Sequence, residues 1–325
     1  MTKRALIYGI TGQVGSFLAE YLLKRDYEVW GVVRRASTIN TSRIDHVYPK
    51  LKLLYGDITD DASIRRALLE SDPHEIYNLA AQSHVRVSFD EPIYTADATG
   101  MGALKLFNAV RDCRINPRIY QASSSEMFGS SPPPQNEQTP FHPRSPYGCA
   151  KAFAYYAAQH YREAYDLHIS NGICFNLESE RRGETFVTRK ITRGLTRIKH
   201  GLQKKLALGN IFARRDWTYA PDAVEAMHLM LQQDTPDDYV IGSGVTRSIH
   251  WFVEEVCKRV GFDDWQKYVV RDERYYRATE VDVLQADYRK AFKKLGWQPK
   301  TPMSAWIGYM VDHDDHLAMI EAGAL

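Results

Sequence analysis

Between Gln121 and Lys151 the chain reads QASSSEMFG, a proline-rich loop, and then RSPYGCAK. Two reactive groups stand there. The first is Ser123, Ser124 and Ser125 followed by the carboxyl of Glu126; the second is Tyr147 with Lys151 four residues on. Residues four apart share a helix face, so the Lys151 ammonium can stand near the Tyr147 phenol, favour the phenolate and lower its pKa. A phenol that ordinarily loses its proton near pH ~10 then becomes a general base close to neutrality, with Glu126 as a separate proton carrier. Alone, Tyr-x-x-x-Lys is common and describes many solvated helix faces. Its meaning depends on the elements that carry it.

Those elements alternate. Arg4 to Tyr8 is a short apolar strand, and Gly9, Thr11, Gly12, Gln13 and Gly15 separate it from the amphipathic SFLAEYLLKRDY. Strand, glycine turn and helix in that order make a dinucleotide site, because the glycines let backbone approach a pyrophosphate at a helix N-terminus. The next strand, EVWGVV, ends at Arg34 and Arg35, where an acid would suit the ribose of NAD and arginine suits the 2′-phosphate of NADP. Lys52 to Tyr55 is a strand leading into Gly56, Asp57 and Ile58, whose carboxylate can bond the adenine amino group. Helix Ala62 to Glu70 and strand Glu75 to Leu79 follow, the latter running into AAQSH, small residues that can lie against a cofactor. A helix is expected over Tyr94 to Cys113, and strands over Arg118 to Ala122 and Leu167 to Cys174. This alternation predicts an α/β fold, a doubly wound parallel sheet of Rossmann type, with Ser124 and Glu126 at a strand's C-terminal end, where ligands bind. Residues 1–175 form the dinucleotide domain, with parts of 205–260 returning to it, and 176–325 form mainly a smaller mixed α/β substrate lobe.

Composition narrows the function classes. The chain has 325 residues, 25% of them charged, and a net charge of +2. No apolar run approaches the ~18 residues of a membrane span, and the N-terminus runs into a strand with no signal-peptide pattern. Cys113, Cys149, Cys174 and Cys257 are widely spaced, so no metal site is expected and a reduced, cytoplasmic protein is. Beyond Cys174, basic residues cluster: Arg181, Arg182, Arg189, Lys190, Arg193, Arg214, Arg215 and Arg277. Near a cofactor site such arginines suit an anionic ligand, for example a diphosphate; about half are expected on solvated helix faces. Nucleic acid fits less well, for the arginines are scattered and aromatic interleaving is poor.

With NLAAQSHV, SSSEMFG, RSPYGCAK, RRGETFVTRK and RATEVD in place, the whole chain resembles the GDP-mannose 4,6-dehydratases of the extended short-chain dehydrogenase/reductase superfamily. The resemblance implies an NADP-dependent conversion of GDP-mannose to GDP-4-keto-6-deoxymannose. It gives Tyr147 the C4 hydroxyl proton and Lys151 the nicotinamide ribose. Ser124 bonds the C4 oxygen, while Glu126 removes the C5 proton and protonates the departing C6 hydroxyl. It also places Leu79, Ala80, Ala81, Ser83, Tyr94, Leu177 and Arg182 at the cofactor. Ser83, Asn176, Val187, Lys190, Arg215, Arg277 and Glu280 go to the GDP-sugar. A homodimer or homotetramer is implied, with the 34–43 loop reaching a neighbour's cofactor in tetramers.

Five positions depart from the family's text: Val14, Leu177, Glu180, Thr218 and Ala278. Leu177 replaces a polar ring beside the sugar, so a related GDP-sugar such as a GDP-manno-heptose is an alternative substrate. An epimerase or reductase would share the fold, the cofactor and the Tyr147–Lys151 pair, but would have no use for Glu126. A non-catalytic NADP-binding regulator would have no need of Tyr147 and Lys151.

Overall fold

A computed structural model describes residues 2–276 and 279–324. Its strands are β1 (Arg4–Tyr8), β2 (Glu28–Val33), β3 (Leu51–Tyr55), β4 (Glu75–Asn78), β5 (Arg118–Ser124), β6 (Ile169–Cys174), β7 (Asn176–Glu178), β8 (Leu206–Leu208), β9 (Arg214–Tyr219), β10 (Tyr239–Ile241), β11 (Thr246–Ser248) and β12 (Val269–Arg271). Its α-helices are α1 (Gln13–Leu23), α2 (Asp61–Ser71), α3 (Val87–Asp90), α4 (Pro92–Thr95), α5 (Gly102–Asp112), α6 (Pro146–Tyr165), α7 (Val187–Lys199), α8 (Ala220–Leu231), α9 (Ile249–Val260), α10 (Arg289–Leu295) and α11 (Met303–Glu321).

Seven strands form one sheet in the order β10-β6-β5-β4-β1-β2-β3, and every neighbouring pair is parallel. Successive strand residues point to opposite faces, and both faces are covered. Ala5 and Ile7 join Leu18 and Leu22 of α1 and Met227 and Met230 of α8 in one layer. Leu6 and Tyr8 join Leu68, Leu106, Phe107 and Ala158 of α2, α5 and α6 in the other. That is why these strands read as nearly unbroken apolar runs. The chain leaves the sheet centre in two directions from β1, and the crevice outside the C-terminal ends of β1 and β4 is the expected ligand position.

The second layer system is smaller. β7 pairs parallel and β11 antiparallel with β9, while β8 and β12 make a separate parallel ribbon. Ile191, Leu195, Trp217, Phe252, Val256, Trp306 and Met310 form its core, so α7, α9 and α11 pack together there. α8 and β10 belong to the large sheet.

Three elements differ from expectation by two residues or more, β6 by beginning at Ile169 and not at Leu167. The helix expected over Tyr94 to Cys113 is interrupted: α4 passes into a π-helical turn, Ala96–Met101, before α5 begins. Close packing accompanies this widened turn, since a Cβ at Gly100 would stand 3.2 Å from the Phe153 ring and one at Gly102 2.9 Å from Ile58. β5 runs two residues further than expected, so Ser123 and Ser124 lie within the strand and pair with Ile173 and Cys174.

Candidate active site

The glycine turn is fixed by contact. Gly9 has φ +84°, and a Cβ there would lie 3.1 Å from the backbone of Leu79 and Ala80. A Cβ at Gly15 would stand 2.2 Å from the Gly9 carbonyl, so α1 can meet β1 this closely only without a side chain. Gly12 donates its N–H to the Gly9 carbonyl at 3.0 Å and caps α1 with no side chain. The first N–H groups of α1 thus form the kind of anion-binding helix start that a pyrophosphate fits. Gln13 is buried and spoken for: its Nε2 donates to the Leu177 carbonyl at 2.9 Å and its Oε1 accepts from Ser179 Oγ at 2.8 Å. The Thr11 carbonyl accepts from Arg43 at 3.4 Å.

A cleft of about 570 Å³ opens beyond β2 and β3, lined among others by Arg34, Arg35, Gly56, Asp57, Ser63 and Arg66. Arg34 donates to the Tyr94 hydroxyl at 2.9 Å, bringing two expected cofactor residues together. Asp57 accepts from the Thr59 amide and hydroxyl, both at 2.9 Å. Ile58 is core. Arg66 was not anticipated; it sits on α2, one turn past the expected contacts, and no sequence motif marks it.

The catalytic candidates converge at the end of β5. Ser124 Oγ accepts the Glu126 N–H at 3.2 Å and caps the single 3₁₀ turn Ser125–Met127. α6 docks on that turn through Gly148, where a Cβ would stand 2.7 Å from the Glu126 carbonyl. Ser145 caps α6, its Oγ accepting the Gly148 N–H at 3.0 Å, and Pro146 occupies the first helical turn. Strand end and helix start therefore bury Ser124, Glu126, Tyr147 and Lys151 together.

Burial dominates the electrostatics of the Tyr147–Lys151 pair. Lys151 Nζ donates to the Ala122 carbonyl at 2.7 Å and lies 5.8 Å from the Tyr147 ring centre. Burial pushes the Tyr147 phenol up to about 12. The Ser124 hydroxyl and the Arg182 charge pull it down, and the Glu126 carboxylate pushes it up. Ser124 and Arg182 are thus two groups that favour the phenolate here. Burial also pulls the Lys151 ammonium down to about 8.

On the lobe side, Asn176 opens β7 opposite Trp217, and Val187 and Lys190 stand on the first turn of α7. The Lys190 ammonium lies 3.2 Å from the Tyr275 ring centre. Arg182 stacks 3.8 Å over Phe186 and pairs with Glu178 at 3.4 Å. Arg215 is buried and donates to the carbonyls of Val281, at 2.7 Å, and Arg214. Glu280 lies on the same 279–281 segment; Arg277 and Ala278 lie outside the described residues. Ser83 and Ala81 sit on the loop leaving β4.

Several arginines expected to face an anion are instead paired within the protein. Arg181 binds Glu20 and Ser16, Arg189 binds Asp314, and Arg193 binds Glu184 and Glu321. Composition could not separate them from ligand-facing cations, because their partners lie up to 165 residues away in sequence. The Leu177 side chain packs against the large core, and its carbonyl accepts from Gln13. Leu177 and Thr218, two departures from the family's text, are register partners in the β7–β9 pair. Glu180 accepts from the Tyr219 hydroxyl at 3.3 Å.

Residues 6–310 match the family profile for GDP-mannose 4,6 dehydratase. The chain belongs to that family. Among GDP-mannose 4,6-dehydratases, dehydratase 1 of Arabidopsis thaliana is 53% identical, covering 98% of this chain and 91% of its own. The human enzyme is 47% identical over 96% of this chain and 91% of its own, and one from Vibrio cholerae is 46% identical over 99% and 96%. Among solved structures, dTDP-glucose 4,6-dehydratase from Bacillus anthracis in complex with NAD superposes with TM-score 0.83 at 22% identity, covering 97% of each chain. A UDP-glucuronic acid 4-epimerase from Bacillus cereus gives 0.86 at 21%, over 97% and 99%. At such identities the superpositions speak for the fold.

Proposed function

We propose that this chain is an NADP-dependent GDP-mannose 4,6-dehydratase, releasing GDP-4-keto-6-deoxymannose and water. The observation that carries the reading is that Glu126 and Tyr147 are both buried where α6 docks, through Gly148, on the turn that ends β5, in a chain matched to that family over nearly its full length. The glycine cradle at Gly9, Gly12 and Gly15 fits a pyrophosphate, and the Arg34–Arg35 cleft fits a 2′-phosphate, whose charge arginine pairs bind in bidentate fashion. When bound, the nicotinamide takes a hydride from C4 of the sugar and returns it at C6.

The protein moves the protons. Tyr147, as phenolate, takes the proton of the C4 hydroxyl, and Ser124 holds the C4 oxygen. The ketone at C4 acidifies C5, and the Glu126 carboxylate removes that proton. Glu126 passes it to the C6 oxygen, which leaves as water. Once C6 is reduced, Glu126, reprotonated from solvent, returns a proton to C5, and Tyr147 releases the C4 hydroxyl proton to solvent, so the sugar has lost one water with no net oxidation. A C4 epimerase or reductase needs only the first of these steps, so a buried carboxyl beside the tyrosine favours dehydration. Asn176, Val187, Lys190, Arg215, Arg277 and Glu280 are proposed for the GDP moiety. We propose a homo-oligomer as well. No helix among the described residues is long and apolar enough to cross a membrane.

A GDP-manno-heptose is the alternative substrate, suggested by Leu177 where the family carries a polar ring. The test is competition among GDP-mannose, a GDP-manno-heptose, UDP-glucose and dTDP-glucose, scored by kcat/KM for 4-keto product. GDP-mannose is expected to lead the hexoses by orders of magnitude, since a site built to hydrogen-bond a base rejects one lacking the matching groups by ~10⁴-fold or more. Preference for UDP- or dTDP-glucose would overturn the nucleotide assignment.

A further inference from the structure

The turn between β7 and α7 ties the catalytic pocket to the C-terminal helix through an ion pair that the reaction above does not use. Arg189, on the first turn of α7, donates from Nε to both carboxylate oxygens of Asp314, at 2.7 and 2.8 Å. Thr192 donates to the same carboxylate at 2.5 Å. Asp314, on α11, is fully buried and Arg189 nearly so. Arg189 Nη1 reaches the other way, donating to the carbonyls of Arg182, at 3.0 Å, and of Glu180. Ser179 and Arg181 have their own anchors on α1, through Gln13 and Glu20. Arg189 holds the carbonyls of Glu180 and Arg182, while the Arg182 N–H donates to the Ser179 carbonyl at 3.0 Å. The same stretch carries the Arg182 guanidinium, whose buried Nε faces the Glu178 carboxylate at 3.4 Å.

We propose that Asp314 is a positioning residue for the dehydration: by orienting Arg189 it fixes the backbone of residues 180–182 and with it the placement of the Arg182 guanidinium. The physical basis is the fork geometry of guanidinium, which bonds a carboxylate on one edge and leaves other N–H groups aimed in fixed directions. A buried carboxylate on α11 thereby sets the direction of a donor that bonds two carbonyls on another element. Arg182 in turn favours the Tyr147 phenolate, so loss of the clamp weakens the base without touching it. The inference rests on the function proposed above.

Removing Asp314 alone would strand a buried guanidinium and threaten folding. The test therefore uses two variants. Arg189→Met/Asp314→Leu replaces the pair with apolar side chains, a change that buried ion pairs often tolerate. Arg189→Lys keeps the charge pair but lacks the second arm that reaches the turn. Both are compared with the parent by thermal melting, GDP affinity, amide hydrogen–deuterium exchange over residues 180–183, kcat, and the pH profile of kcat. Melting and GDP affinity should stay near those of the parent, while exchange over 180–183 accelerates. Turnover should fall by roughly a hundredfold, as displaced positioning groups cause, and the acid limb should move to higher pH. Arg182→Met should reproduce that pH displacement. A folded variant with parental exchange, or with faster exchange but parental kcat and pH profile, overturns the proposal. A parent that yields no 4-keto sugar from GDP-mannose sinks the functional reading alone, because exchange still decides whether the pair holds the turn.

Discussion

At the scale of single residues the chemistry divides between two acids of different strength, and each makes its own prediction. In the proposed mechanism Glu126 serves C5 and C6, because Tyr147 works at the C4 oxygen. In Glu126→Gln, release of 6-deoxy product should fall ~10²–10⁴-fold, the usual value of a positioned acid–base group. In deuterated water the parent should place deuterium at C5 of its product, and the variant should leave C5 of recovered substrate protonated. Deuterium at C5 in the variant would show that another group does this work. Ser124 governs the other acid. Its hydroxyl pulls the Tyr147 phenol down against the burial that pushes it up to about 12. Deleting that bond raises the phenol further, and because the reaction needs the phenolate, the acid limb of the kcat–pH profile must move to higher pH. Ser124→Ala should show the move and Ser124→Thr should not. An unmoved limb in Ser124→Ala would remove Ser124 from the proton path.

At the scale of elements, the sheet was legible because its strands are short apolar runs between glycine, helix and polar loop. The glycine turn was legible for the same reason: strand, Gly9, Gly12, Gly15 and helix stand in a fixed order. The serines, Glu126, Tyr147 and Lys151 could be placed together because a parallel strand must end where ligands bind and the next helix starts there. What the sequence withheld were contacts of long range. Arg189 and Asp314 are 125 residues apart, and nothing in either neighbourhood distinguishes a clamp from a solvated charge. The Lys151 ammonium could be put near Tyr147 by helical spacing, but its bond to the Ala122 carbonyl depends on how α6 lies on β5. The end of β2 carries a prediction of its own. Arg34 and Arg35 line the cleft beyond that strand with Arg66 of α2, so the protein should bind NADP more tightly than NAD. Arg34→Asp should weaken NADP by about tenfold to a hundredfold, since a hydrogen bond to a charged group contributes ~1.5–3 kcal/mol. Calorimetric titration with both dinucleotides decides it, and equal affinities in the parent would sink the 2′-phosphate assignment.

At the scale of the whole molecule, one face is more apolar than a lone monomer needs. Ile93 on α4 is 82% exposed, Met101 on the π-helical turn 41%, and Phe153 and Tyr156 on α6 46% and 56%. These elements pack side by side, Gly100 lying under the Phe153 ring, so the exposed side chains share one surface. Large exposed apolar patches mark interaction sites. A helical face of this kind can meet its own copy across a two-fold axis, the commonest symmetry of soluble oligomers, in which each residue meets its counterpart's neighbourhood twice. We therefore expect a dimer built on α4, the π-helical turn and α6. Ile93→Glu/Phe153→Glu would place four carboxylates in that interface, two from each subunit, and should yield a monomer by size exclusion with light scattering. Because the face is apolar, raising salt should leave the parental dimer intact, whereas an interface held by surface charge would weaken as screening increases. The melting temperature of the parent should rise with protein concentration, as linkage requires when folding and association are coupled, and that of the variant should not. A parent that remains monomeric at every concentration would assign this face to another partner and leave α6 to act within a single chain.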